Sequence, residues 1–263
     1  MPVRLDAVVR RVDQEEFGRL DYSVMKHAFG VHNALGRLAD EAVYRKDFSN
    51  RLRRSGGNAR EELCVTVSFG GFSKRYSLDV LVGDWGIYEL KVVRTLTDDH
   101  VNQVLNYLRL LDLSHAKLIN FRGIAVETRF VNSSLSKAER IDFRLDTSRS
   151  LIGDEMVRLL DPWLRDWGTG LSRGLYAEAL DFFVREAHPD QSDVVLYRNG
   201  QFLGSLATPQ IRPGHAAHVT TFKDVPSDYA TQLRRLHSHT NLRYLEWINI
   251  SDTRVATRSI PLD

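Results

Sequence analysis

Apolar residues recur at helical spacing in "DYSVMKHAFGVHNALG". Val24, Ala28, Val31 and Leu35 form one stripe, which Met25 and Phe29 widen. Asp21 stands at the start of this stretch and is a candidate N-cap. "ADEAVYRKDFSNRLRR" reads as a second helical stretch, stopped by Gly56-Gly57. The texture then turns β-rich. "LCVTVSF" and "FSKRYSLDVLV" meet at Gly70-Gly71, a tight hairpin, and "WGIYELKVV" is a third strand. Helical spacing returns in "DDHVNQVLNYLRLLDL", with Val101, Val104, Leu105, Leu108 and Leu111 on one side. "AKLINF" and "GIAVETRFV" are two more strands. This order predicts an α/β (α+β) fold, a mixed central sheet flanked by helices.

The polar stretch "NSSLSKAERIDFRLDTSRS" is the expected linker, 132–150, between a first domain, 1–131, and a second, 151–263. Helical segments around "IGDEMVRLLDPWLRDWG" and "GLYAEALDFFVREA" follow it. "DVVLYRNGQFLGSLA" and "HAAHVTTF" are strand-like, then come helix "SDYATQLRRLHSHT" and strands "LRYLEWINI" and "TRVATRSI". The second order repeats the first. Residues 103–121 align without gaps on 232–250, so that Gln103 meets Gln232 and Ile119-Asn120 meet Ile248-Asn249. Upstream, "GRLADEAVY" (36–44) aligns on "GTGLSRGLY" (168–176), matching both glycines and both tyrosines. An internal duplication is the expectation.

Charge adds one local feature. The formal net charge is only +2, yet "YRKDFSNRLRRSGGNAR" holds Arg45, Lys46, Arg51, Arg53, Arg54 and Arg60 against Asp47 alone. Such a run is either a nucleic-acid-facing patch or a solvated helix end. The single cysteine, Cys64, reads as a buried structural thiol. No zinc spacing, signal-peptide core or membrane-length apolar run is visible, so a cytoplasmic protein with no membrane partner is the default. His215, His218, His237 and His239 are not expected to hold a metal; the two histidines of "HSHT" are i, i+2 and do not face one another on a helix.

The chemistry-bearing stretch is Tyr88-Glu89-Leu90-Lys91. In a strand, i and i+2 share a face, so Glu89 and Lys91 lie together while Tyr88, Leu90 and Val92 pack on the other side. A neighbouring antiparallel strand brings Asp79 within reach of the same ion. Buried and unpaired, these charges would be very costly; a divalent cation on the two carboxylates, beside the ammonium, removes that cost. A cross-strand salt bridge is the bland alternative. A chain with 34 acids carries an acid-x-Lys triplet about once by chance, so its position after Asp79 carries the weight.

Asp79…Glu89-Leu90-Lys91 resembles the active-site signature of the PD-(D/E)XK nuclease superfamily. Gln103-x-x-x-Tyr107 resembles the QxxxY motif of RecB-like nucleases. "VHNALG" (31–36), Glu41-Ala-Val-Tyr44, "DVLV…YELK" (79–91), "QVLNYL" (103–108) and "LINF" (118–121) are similar to the bacterial GxxExxY family of that superfamily. Leu38 stands where that motif has its glycine. The resemblance spans about residues 18–131. It implies a restriction-endonuclease-like fold and a Mg²⁺- or Mn²⁺-dependent nuclease. Asp79, Glu89 and Lys91 would be catalytic, Asp79 and Glu89 metal ligands with Glu41 completing the set, and Gln103 and Tyr107 substrate-positioning. The implied partner is nucleic acid, DNA ahead of RNA. The alternative is an inactive nucleic-acid-binding or scaffold protein that keeps the fold. In the second half, aligning "AHVTTF" on "IYELKV" puts Val219 and Thr221 at Glu89 and Lys91, and Arg173 at Glu41. That half is expected to be a degenerate, non-catalytic copy, making the chain a pseudo-dimer; a homodimer is the other arrangement.

Overall fold

The computed structural model describes residues 3–190 and 193–262 and divides between Lys137 and Ala138 into two compact units. The first unit runs β1 (Val3–Leu5), α1 (Gln14–Leu35), α2 (Glu41–Arg54), β2 (Ala59–Phe69), β3 (Phe72–Val82), β4 (Gly86–Lys91), α3 (Asp98–Leu110), β5 (His115–Asn120) and β6 (Glu127–Asn132). Its six-stranded sheet keeps sequence order, β1 to β6. Only β4 and β5 pair in parallel, and α3 is the crossover that a parallel neighbour requires. The fold is mixed α/β, as the pattern predicts.

Local chemistry sets the boundaries. The Asp13 carboxylate accepts from the Glu16 N–H at 2.8 Å and caps α1. The helix therefore starts well before Asp21, which is not its cap: Asp21 sits buried inside the helix, its Oδ2 2.8 Å from the Lys117 ammonium on β5. Gly70 and Gly71, at φ 47° and 87°, close the β2–β3 hairpin between partners Phe69 and Phe72. Val65 and Val67 of β2 are buried, so the pleat turns Cys64 outward. The thiol is exposed, against the sequence expectation. On one sheet face Phe17, Val24 and Ala28 of α1 and Tyr44, Phe48 and Leu52 of α2 pack with Val80, Tyr88 and Leu90. No described helix is long and apolar enough to cross a membrane.

The second unit contains α4 (Lys137–Ile141, from its second residue), β7 (Arg144–Arg149), α5 (Gly153–Trp167), α6 (Arg173–Ala187), β8 (Val194–Arg198), β9 (Gln201–Leu206), β10 (Gln210–Arg212), β11 (His215–Thr220), α7 (Tyr229–His237), β12 (Tyr244–Ile250) and β13 (Arg254–Pro261). The expected 132–150 linker is thus partly folded. It carries α4 and β7, and β7 lies parallel to β13 at the edge of a five-stranded sheet ordered β10-β11-β12-β13-β7. An edge strand tolerates the polar sequence that made this stretch look like a linker.

Both sheets contain the same succession. A parallel pair joined by a helix is flanked on each side by an antiparallel strand: β3-β4-β5-β6 in one, β10-β11-β12-β13 in the other. Details recur too. Tyr44 donates to the Gly36 carbonyl at 2.8 Å and accepts from the Ala39 N–H at 3.2 Å. Tyr176 donates to Gly168 at 2.8 Å and accepts from Leu171 at 2.9 Å. The Asn120 side chain binds both backbone groups of Val93, at 2.8 and 3.1 Å; Asn249 does the same to Phe222, at 3.0 and 2.9 Å.

Candidate active site

Strand β4 lies mid-sheet between β3 and β5, and Gly86 through Leu90 are all buried. The β3–β4 ladder ends at Val80↔Tyr88. Asp79 and Glu89 are the next residue on each strand. Instead of continuing the ladder, the Asp79 carboxylate reaches across, and its Oδ2 accepts from the Leu90 N–H at 2.8 Å. Its Oδ1 accepts from Arg45 Nη1 at 3.2 Å. Lys91 Nζ donates to Glu89 Oε1 at 2.7 Å. Glu89 Oε2 is buried and has no hydrogen-bond partner.

The electrostatics follow from that burial. Glu89 is 2% exposed, and desolvation, then repulsion from Asp79, pushes its pKa up to about 7 despite Lys91. Glu41, half-buried at the start of α2, is also raised, first by burial, against the pull of Lys91. For Lys91 burial opposes the charge, yet Glu89, Glu41 and Asp79 together outweigh it and hold the ammonium above its usual pKa. Lys91 is therefore a cation at neutral pH, not a base. Tyr107 of α3 is pushed up to about 12 by burial and then by the charge of Glu89, and Gln103 Nε2 donates to its hydroxyl at 2.8 Å.

The structure thus brings together Asp79, Glu89 and Lys91, with Glu41 and Tyr107 close enough to feel their charges and Gln103 behind Tyr107. Among the described residues no group of three or more His, Cys, Asp or Glu is placed to hold a metal. Two carboxylates with a buried, unpartnered oxygen still fit a hard divalent ion, since Mg²⁺ keeps several waters and takes one or two carboxylates alongside substrate phosphate.

Four cations of the basic run on α2 pair with acids. Arg45 bridges Asp79 and Glu62, Arg51 pairs with Asp47, and Lys46 and Arg53 both reach Glu61. Arg54 is exposed. Sequence reasoning missed Arg45 as the side chain holding Asp79, and Asn120 as the clip on the backbone just beyond Lys91. The repeated Ile-Asn pair was the available signal for Asn120.

In the second unit the register corrects the aligned strand by one residue. Glu89↔Leu118 and Lys91↔Asn120 correspond to His218↔Trp247 and Thr220↔Asn249. His218 and Thr220, not Val219 and Thr221, occupy the positions of Glu89 and Lys91. The Thr220 hydroxyl donates to Asn249 and accepts from the Trp247 indole, both at 2.8 Å.

Residues 18–131 match the family model of the PD-(D/E)XK nuclease superfamily. The match lies wholly within the first unit and contains Glu41, Asp79, Glu89, Lys91, Gln103 and Tyr107. No curated protein and no solved structure matches the chain.

Proposed function

From the superfamily match over residues 18–131, we propose that the first unit is a metal-dependent nuclease hydrolysing phosphodiester bonds in DNA. The carrying observation is the end of the β3–β4 ladder, where Asp79 and Glu89 stand together and Glu89 Oε2 has no partner. Asp79 and Glu89 would hold Mg²⁺ or Mn²⁺. When bound, the ion supplies positive charge that acidifies water and stabilises charge developing on phosphate. Arg45 and Lys91 each hold one oxygen of this pair, and Glu89 Oε2 is the oxygen left for the ion. Lys91, kept protonated, donates to the attacking water or a phosphate oxygen. Gln103 orients the Tyr107 hydroxyl beside the site, where it positions the substrate backbone.

The affinity with the GxxExxY group draws support from Tyr44, whose hydroxyl ties α1 to the start of α2. Leu38 is 78% exposed, so the position where that motif has glycine tolerates a side chain. The internal duplication draws support from the paired tyrosine and asparagine contacts above. It gains from β6 and β13 as well: Arg129 and Arg258, 129 positions apart like Leu118 and Trp247, pair with those residues in the same register.

The test is cleavage of end-labelled DNA and RNA by the wild type and Asp79→Ala, with Mg²⁺, Mn²⁺ or EDTA. DNA cut only with metal, and not by Asp79→Ala, is the expected result. No cleavage of either substrate with metal overturns it.

A further inference from the structure

We propose that the second unit carries its own groove for the phosphodiester backbone of nucleic acid, on the sheet face that corresponds to the catalytic face of the first. The groove has a volume of about 490 Å³ and is lined by β7, β12, β13 and the segment after β11. Trp247, Asn249, Ala256 and Arg258 line it. Their register counterparts in the first unit are Leu118, Asn120, Glu127 and Arg129, which share the face of Glu89 and Lys91.

The second sheet keeps this face and removes its acids. Ala256 stands at the position of Glu127 and His218 at that of Glu89. Four cations border the groove: Arg149, Lys223, Arg254 and Arg258. Asp146 is the one acid lining it, and it is engaged by Arg254 at 2.6 Å. Among the described residues Arg149, Lys223 and Arg258 have no ion-pair partner. Arg258 is also the ladder partner of Arg149 in the parallel β13–β7 pair, so two unpaired like charges adjoin in the lining. Like charges opposite one another on a ladder are destabilising, and an anion lying over them reverses that sign. Ser148, Asn249 and Ser251 add neutral hydrogen-bonding groups to the lining. A groove bordered by unpaired cations suits a chain of phosphates. The choice of nucleic acid as that polyanion rests on the nuclease reading of the first unit.

The experiment is equilibrium binding of the full chain to fluorescein-labelled single-stranded DNA, duplex DNA and single-stranded RNA, in EDTA, across a salt series. The variant is Arg149→Gln/Lys223→Gln/Arg258→Gln, which removes the charges and keeps a polar end group. Its comparison is Arg198→Gln/Arg234→Gln/Arg235→Gln, three exposed arginines of the same unit outside the groove. For at least one of the three nucleic acids, the groove variant is expected to bind on the order of tenfold or more weakly. Its log–log salt slope for duplex is expected to fall by about 2 to 3, near 0.9 for each phosphate left without its cation. The comparison variant should stay near wild type. Arg258 is half-buried, so Arg149→Gln/Lys223→Gln, at two exposed side chains, serves if the triple variant unfolds, with a slope change of about 1 to 2. Unchanged affinity and slope, equal losses in both variants, or a wild type that binds none of the three overturns the proposal. Because binding is read without metal, loss of cleavage in Asp79→Ala and loss of binding here fail or succeed separately.

Discussion

Replacing Glu89 by Gln removes a charge and almost no volume, so its effect reports on electrostatics. The folded protein holds the Glu89 proton with a pKa of about 7, against an ordinary 4.5, chiefly because burial disfavours the carboxylate and then because Asp79 repels it. The folded state therefore binds that proton more tightly than the unfolded chain does. The resulting stabilisation is fully present below about pH 4.5 and is lost as the pH rises through about 7. Carrying a carboxyl over that interval corresponds to about 3 kcal/mol. Gln cannot titrate. Its amide also leaves an N–H₂ where Glu89 Oε2 has no partner, a pH-independent cost of about 1–3 kcal/mol. The informative quantity is the difference in pH dependence between the two proteins. Urea unfolding from pH 5 to 8 in EDTA should show the wild type losing about 2.5 kcal/mol of that relative to Glu89→Gln, which should not cut DNA at any pH. Parallel stability curves would refute the uncompensated carboxylate, and retained cleavage would refute its place in the metal site.

His218 stands at the equivalent position of the second unit and titrates with the opposite sign. Burial, then Arg173 and His237, depress its pKa to about 4, so its contribution is present above about pH 6.5 and is lost as the pH falls through 4. His218→Gln should flatten about 3 kcal/mol of acid destabilisation, read as the difference between two pH–stability curves. Tyr176→Phe strands a buried backbone N–H and carbonyl and Tyr44→Phe a part-buried pair, so each should cost about 1–3 kcal/mol in denaturant unfolding, Tyr44→Phe toward the lower end. Costs differing by more than that range would count against equivalent turns. Asp21→Leu or Lys117→Met alone leaves a buried charge unpaired and should cost about 3–5 kcal/mol; the double variant should be near neutral, read by a double-mutant cycle.

Much of the site is legible in the order of residues alone. Period-two patterning places Glu89 and Lys91 on one face of a strand, and Gly70-Gly71 fixes the hairpin that leads β3 back toward it. Asp79 follows because successive antiparallel strands are neighbours. The repeated Tyr and Ile-Asn positions are visible because identical local tasks keep identical residues. Each of these depends on groups close in sequence, or on one adjacent strand, where side-chain direction is set by backbone geometry alone.

Pairing across long separations was decided by tertiary structure. Asp21 has the composition of a cap but meets Lys117, 96 residues away, because α1 lies over β5 there. The α2 cations read as either a nucleic-acid-facing patch or a solvated helix end, and only the fold shows that β2 and β3 deliver Glu61, Glu62 and Asp79 to them. The segment 132–150 read as a linker because the partner of β7 is β13, more than 100 residues later. The alignment slipped by one residue at β11 because apolar residues point to both faces of a buried central strand, so only its hydrogen-bonded register could choose between His218 and Val219. The order of residues alone marks which of them can do chemistry on each strand. Which charges remain free to do it was settled only when the folded chain brought opposite charges into the same low-dielectric space, where pairing or its absence is worth several kcal/mol.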